Sequence, residues 1–319
     1  MTKVACIGEC MIELSEMTGG TLARSCGGDT LNTAVYLARL GVLVDYVTAL
    51  GDDPFSDEML ADWQAEGIGT RHVVRLPGRL PGVYLIRRDA RGERSFFYWR
   101  DQAPARALFD LPQTGTIVQA LVAYDVLYLS GITLSLYGEA GRKRLFEMCD
   151  HVRRRGGRVA FDTNFRPRGW PDRAVAQAAY LRAVDHADIV LASSEDLALL
   201  FGSDCPAELL AHAGSAELVL KLAGVACRVL AAGSDVMVAA APVTSVVDTT
   251  AAGDSFAAAY LAARLAGGNP AAAARAGHRL AGTVVRYPGA IIPPAAMPAA
   301  ITAAGIGRRP RRPPARQGR

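Results

Sequence analysis

Strand-length apolar runs alternate with helix-length amphipathic stretches along most of this chain, and few folds accommodate that rhythm. The opening KVACIGECMIEL reads as a strand, with Val4 to Ile7 buried and a turn at Gly8. After a loop, Gly27 and Gly28 precede a helix capped by Asp29 or Thr30, with Leu31, Ala34, Val35 and Ala38 on one face and Gly41 as its stop. Residues 44–51 form a second strand, and 55–67 a helix ended by Gly67. From Tyr124 the rhythm resumes: strand 126–131, helix 138–157, a strand from 158 into a polar loop at 164–168, and a helix over roughly 173–186. A strand and short helix follow in 188–202, then strand 217–224 and a Val/Ala-rich pair of strands. The pattern predicts an α/β fold: a doubly wound, mostly parallel sheet with helices on both faces. In such sheets ligands sit at the carboxyl ends of strands, where every polar loop singled out below is placed.

Residues 81–100 break the rhythm. PGVYLIRRD and ERSFFYWR flank Asp89-Ala90-Arg91-Gly92 and read as a β-hairpin, with Tyr84 and Ile86 on one face and Tyr98 and Arg100 sharing another. A hairpin between βα units has no place in the right-handed crossovers, so it is expected to project as a flap. Its aromatic and arginine side chains either cover a polar ligand or pack on a second subunit.

The stretch DTTAAGD, residues 248–254, is the sharpest chemical signal. The β-branched run Val243 to Val247 is expected to feed it as a strand, and Ser255 to Arg264 leave it as a helix. Small residues at Ala251, Ala252 and Gly253 let backbone N–H groups approach an anion, and the helix N terminus adds donors and partial positive charge. Asp254 stands beside those donors, either as a carboxylate serving phosphoryl transfer or as a helix cap. Asn269-Pro270 restart the chain as N-cap and first residue of a further helix.

Two other loops carry candidate polar groups. Asp29 and Asn32 offer acceptors and donors for vicinal hydroxyls next to Gly28. Asn164 suits a phosphate or metal-bound water, and Arg166 forks a carboxylate or phosphate unless it serves a surface ion pair. With Arg100 on the flap, two arginines at one pocket fit an acidic sugar better than a neutral one. The sequence holds no Walker P-loop, no G-x-S-x-G and no G-x-G-x-x-G after the first strand, and its five histidines lack metal spacing.

Charge narrows the partners. The chain's net +4 includes six arginines in residues 308–319, so the first 307 residues carry a net −2, which gives no nucleic-acid footprint. That Arg/Pro tail reads as disordered. The six cysteines form no C-x-x-C pair and match no disulfide or zinc framework, as expected for reduced thiols in the cytoplasm. Glu9 and Glu13 interrupt the apolar N terminus, so no signal peptide or membrane span is expected.

Taken in order, IGECMIELSE, GGDTLNTAVYLARLG, YVTALGDD, LPGVYLI, GERSFFYWR, YLSGI, DTNFRPRGW, DTTAAGDSF and GAIIP make the chain resemble the ribokinase-like (PfkB) family of sugar kinases over residues 3–297. Within the family the similarity is narrower, to the branch acting on 2-keto-3-deoxygluconate. The resemblance implies one kinase domain over 1–307 with a β-lid around 81–100, ATP and Mg²⁺, and phosphorylation of the sugar acid's 6-hydroxyl. It makes Asp254 the base and residues 251–253 the anion hole. Gly28, Tyr84, Tyr98, Arg100, Arg166 and the backbone of Ala290 match sugar-acid contacts. Asn164, Ser193, Lys221, Ala223, Gly224 and His278 match positions near the nucleotide, with Arg166, Ala251 and Gly253 also within its reach. Asp248 and Thr250 match a loop that holds a monovalent cation such as K⁺, and the lid implies a homo-oligomer. Where the family has glycine this chain has Ala251, and its N-x-x-E and K-x-G motifs read Ser193-Ser194-Glu195-Asp196 and Lys221-Leu222-Ala223-Gly224. A neutral-sugar kinase and a silent sugar-acid sensor remain the alternatives.

Overall fold

The computed structural model describes residues 2–17, 19–88, 94–223, 226–231 and 233–299. The flap turn at 89–92, Gly224 and the arginine-rich tail, all given expectations above, lie outside the described residues. The chain opens with β1 (Lys3–Ile7), β2 (Met11–Glu16) and β3 (Leu22–Gly27), followed by α1 (Asp29–Arg39) and β4 (Leu43–Gly51). Next come α2 (Pro54–Ala65), β5 (Gly69–Leu76), β6 (Val83–Arg88), β7 (Arg94–Trp99) and α3 (Thr114–Leu121). The middle holds β8 (Val126–Ser130), α4 (Gly131–Leu136), α5 (Glu139–Arg154), β9 (Arg158–Asp162) and α6 (Arg173–Asp185). β10 (Ile189–Ser193), α7 (Ser194–Phe201), α8 (Ala207–Ala213) and β11 (Glu217–Leu222) lead to β12 (Ala226–Ala231) and β13 (Ser234–Ala239). The last two helices are α9 (Ala252–Leu265) and α10 (Pro270–Val284).

Nine of these strands form one sheet in the order β13-β12-β11-β10-β9-β8-β1-β4-β5. From β11 to β5 every neighbouring pair is parallel, while β12 and β13 add an antiparallel edge. The sheet divides two cores because side chains alternate along each strand. Val4, Val126, Tyr128 and Leu191 pack towards α1, α9 and α10. Their neighbours Ala5, Leu127, Leu129 and Val190 face α5, α6 and α8 on the other side. The doubly wound α/β reading therefore holds. Helix starts follow side-chain chemistry, as at α10, where Asn269 accepts from the Ala272 N–H at 2.8 Å and Pro270 takes the first turn. Within α10, Gly277 brings the helix against α9: a Cβ there would lie 2.7 Å from the Phe256 ring. Among the described residues no helix is long and apolar enough to cross a membrane.

The flap is larger than a hairpin. β6 and β7 pair antiparallel, with Tyr84 opposite Tyr98, inside a four-stranded sheet ordered β3-β2-β6-β7. β2 runs parallel to β6, so residues 11–27 supply half of the lid. β2 was visible only as a continuation of the first strand, since β6, the partner that makes it part of the lid, lies some 70 residues away. Two further expectations are corrected. Val243 to Val247 is not a strand: the N–H of Val247 bonds Val285 O at 2.8 Å, and Val246 and Val247 are exposed. β-Branching there records a propensity that finds no strand to pair with. Helix α1 is capped by Gly28 without a side-chain bond, so Asp29 is a first-turn residue and not the cap. Gly28 is required there because a Cβ would collide with the carbonyl oxygen of Glu9, which lies on the crossing into the lid. Gly28→Ala is expected to cost ~1–3 kcal/mol as an overpacked site, read as a lowered Tm together with a raised KM for sugar.

Candidate active site

The N-terminal ends of α1, α7 and α9 meet at the carboxyl edge of the sheet, around a cavity of about 810 Å³ roofed by the lid. Asp254 is the third residue of α9, whose N-cap is Ala251, so the cap reading of Asp254 does not hold. Its Oδ2 accepts from Asn32 Nδ2 at 2.9 Å, and Thr33 Oγ1 reaches its carbonyl oxygen at 3.4 Å, which locks α9 onto α1. The first helical bond of α9 runs from Ser255 N to Ala251 O, and Ala252 N turns back to Thr249 O. Gly253 and Asp254 thus keep N–H groups without an intrahelical acceptor, beside the carboxylate. Of the three residues expected to form an anion hole, Ala252 spends its N–H on that turn while Gly253 keeps its own. Ala251 adopts φ 59°, and Asn164 φ 26°. Among the described residues these are the two non-glycine positions with positive φ, and both line the cavity. Backbone strain of that kind persists where the surroundings over-determine it, as at working sites.

Carboxylates crowd the floor. Asp29 accepts from Asn164 Nδ2 at 2.7 Å through Oδ2, while its Oδ1 is buried without a partner at the cavity wall. Asp162 is buried and takes Lys221 Nζ at 3.0 and 3.2 Å. Burial pushes the Asp162 carboxyl up against the pull of Lys221. Burial likewise raises Asp254, to about 8, helped by the negative charge of Asp29 and opposed by the Asn32 hydrogen bond. A group with that affinity is a proton acceptor suited to neutral and mildly alkaline pH. Activity is expected to rise with pH through about 8 on a single ionisation, since only the deprotonated carboxylate can accept. Asp29→Asn removes a like charge, favours the ionised form and should move that limb to lower pH, measured as the pH profile of kcat/KM.

The two ends of the cavity differ. At one end the lid brings Tyr84, Ile86, Phe96 and Tyr98 over Gly28, Asp29 and Asn32, with Arg166 at the margin. Arg166 is exposed, with Nη1 3.7 Å from Asp196 Oδ1. At the other end Leu222, Ala223, Phe256, His278 and Ala281 form an apolar cleft reaching Lys221 and Ser193. Burial lowers the His278 pKa, so this ring is neutral, with Nε2 3.1 Å from Val238 O. Ser193 caps α7, accepting from Asp196 N at 3.5 Å.

Several candidates sit elsewhere. Arg100 does not line the cavity; its Nη2 donates to Glu9, whose carboxylate is buried at the lid root. The carbonyl of Ala290 is turned to Tyr36, which donates to it at 2.7 Å. Asp248 accepts from Thr250 N at 2.8 Å, Thr250 Oγ1 at 2.6 Å and Gly289 N at 3.1 Å, and of this pair only Thr250 lines the cavity. Sequence reasoning passed over Glu13, which lines the cavity from β2 and accepts from the Tyr84 hydroxyl and from Ser15 and Ser25 at 3.1 and 3.2 Å. A period of two counted from Met11 would have found it. Asp162 was likewise passed over, although it ends a strand beside Asn164.

A family model for pfkB carbohydrate kinases matches residues 1–297. The chain belongs to the pfkB family of carbohydrate kinases. It is 47% identical to the 2-dehydro-3-deoxygluconokinase of Dickeya dadantii over 307 residues, covering 93% of this chain and 99% of that protein. With the 2-dehydro-3-deoxygluconokinase of Escherichia coli the identity is 44% over the same shares. Among solved structures the fold matches fructokinase with bound ATP from Xylella fastidiosa, at a TM-score of 0.79 and 24% identity, over 95% of this chain and 97% of that one.

Proposed function

We infer that this pfkB kinase transfers the γ-phosphoryl group of ATP to the 6-hydroxyl of 2-keto-3-deoxy-D-gluconate (2-dehydro-3-deoxygluconate), giving 2-keto-3-deoxy-6-phosphogluconate. The observation that carries the reading is Asp254, a carboxylate of heightened proton affinity beside the open N–H groups of a helix N terminus. Relatives of that name at 38–47% identity, aligned over nearly all of the chain, support the sugar acid against fructose or ribose. Retention of the base argues against a silent sensor.

The sugar acid lies beneath Tyr84 and Tyr98, its hydroxyls met by Asp29 and Asn32 and its carboxylate forked by Arg166. The adenine takes the apolar cleft at Ala223 and His278, and the phosphates extend past Ser193 and Asn164 to Lys221. Asp254 accepts the proton of the attacking hydroxyl while the new P–O bond forms in line and the bond to ADP breaks. The N–H groups of Gly253 and Asp254 and the ammonium of Lys221 hold charge that develops on the transferred group. Lys221 is well placed for this: its Nζ lies 3.7 Å from where a Cβ would stand on Gly253. The lid excludes water, the competing acceptor.

The hard oxygen donors facing the cavity at Glu195 and Asp196 suit Mg²⁺, which binds through few carboxylates together with substrate phosphates. Bound there with ATP, the ion would neutralise phosphate charge. A monovalent cation at Asp248 and Thr250 fits less well, because that carboxylate is already met by hydroxyl and N–H donors, and no step is drawn through it.

The lid's outer face exposes Phe97 and Trp99, and pairing of two copies there would cover them. A cytoplasmic enzyme in an Entner–Doudoroff type of sugar-acid breakdown fits this reading. ADP release with the keto acid, fructose and ribose tests the function. The keto acid should give the highest kcat/KM by orders of magnitude, and a higher value for either neutral sugar would overturn the assignment.

A further inference from the structure

Four stretches of chain cross between body and lid, and two of them are tied by a buried ion pair that sequence reading did not connect. Glu9 follows β1 on the first crossing and is 2% exposed; Arg100 follows β7 on the last. One hydrogen bond, from Arg100 Nη2 to Glu9 Oε2, joins them. Glu9 Oε1 and Arg100 Nε are both buried and unpaired. The third crossing makes room for the pair through Gly82, where a Cβ would stand 3.1 Å from Arg100 Cβ and 3.2 Å from Glu9 Oε1. The Gly82 carbonyl in turn accepts from Ile12 N at 2.8 Å on β2. The second crossing touches the same point, since the Glu9 carbonyl presses on Gly28 at the mouth of the sugar end. A carboxylate and guanidinium bonded by one contact, with a further donor and acceptor free, have a two-bond arrangement open to them.

We propose that Glu9 is a positioning residue: through Arg100 it fastens the root of the lid, so that Tyr84 and Tyr98 arrive over the sugar in a single register. A small rotation at the crossings that pairs Nε with Oε1 satisfies both orphaned atoms at once, and this favours the closed lid. The inference rests on the lid covering a sugar site, and its test uses whichever sugar the wild type phosphorylates best, so it survives an error in the substrate's identity.

The experiment compares Glu9→Gln, Arg100→Met and the double variant for sugar KM, ATP KM, kcat and ATP hydrolysed per sugar phosphorylated. Each single variant should raise the sugar KM by roughly 10- to 100-fold, the scale of a misplacement near one ångström. The ATP KM should stay near wild type, and more ATP should be lost to water because the lid no longer seals. The double variant should match the singles, because the two residues act as one device. It also leaves no uncompensated buried charge, so it remains informative if a single variant folds poorly. An unchanged sugar KM and coupling ratio in the folded double variant would overturn the proposal. So would losses that multiply, which would make the two roles independent, or a lowered Tm with neither quantity moved.

Discussion

Asp254→Asn is expected to reduce kcat by at least ~10²- to 10⁴-fold, the span associated with a positioned general base, while the KM values for sugar and ATP change little. Asparagine keeps the size of the side chain and can keep the contact with Asn32 after an amide flip, so the fold should persist. Stability should move the other way from activity. The folded-state pKa of Asp254 is raised to about 8 from the ordinary aspartate value of 3.8. Its native carboxyl therefore holds a proton that the unfolded chain gives up, and stability drains away as pH rises between those values. The asparagine variant escapes that loss, so its Tm should exceed that of the wild type near pH 8 and converge with it in acid. Near-normal turnover in the variant would remove Asp254 from the chemistry.

Arg166→Met should lower kcat/KM for the keto acid by roughly 30- to 4,000-fold, the equivalent of ~2–5 kcal/mol for truncating one partner of a charge pair that closure desolvates. Any residual activity on fructose or ribose should suffer far less, since neither presents a carboxylate. Arg166→Lys should recover only part of the loss, because an ammonium cannot make the two-pronged contact. The reason to single out Arg166 is positional: it lines the cavity and follows the strand end at Asp162, and its contacts to Phe165 O at 2.8 Å and Asp196 at 3.7 Å are both made through Nη1. Equal losses on acidic and neutral sugars would assign Arg166 to the nucleotide or the fold.

What could be read from the sequence was local. A small-residue loop entering a helix marks Asp254 and Gly253 because the chemistry and its scaffold are consecutive residues, and strand–helix alternation marks the sheet because burial writes it into periodicity. What could not be read depends on partners far along the chain. The resemblance matches Arg100 to a sugar-acid contact, yet its Nη2 is turned to Glu9, 91 residues earlier. Lys221 was placed near the nucleotide, but its pairing with Asp162, 59 residues away, was invisible. Val243 to Val247 carries strand propensity without a strand to pair with, and the hairpin of β2 and β3 joins a four-stranded lid because β6 comes to lie beside β2. That Ala252 spends its N–H on Thr249 was invisible for a smaller reason, since it depends on a single backbone turn.

Because the lid is assembled from residues 11–27 and 83–99, with α1, β4, α2 and β5 between them, it is not a cassette. Grafting residues 81–100 from another sugar kinase would import two strands without the two they pair with, and the foreign β6 would meet a resident β2 whose side chains were selected for a different partner. An exchange of specificity through the lid therefore has to replace both segments together. During synthesis the same layout leaves the first hairpin waiting, with Glu13 unpaired from Tyr84, until some 70 further residues have left the ribosome and the first βα units of the body can fold.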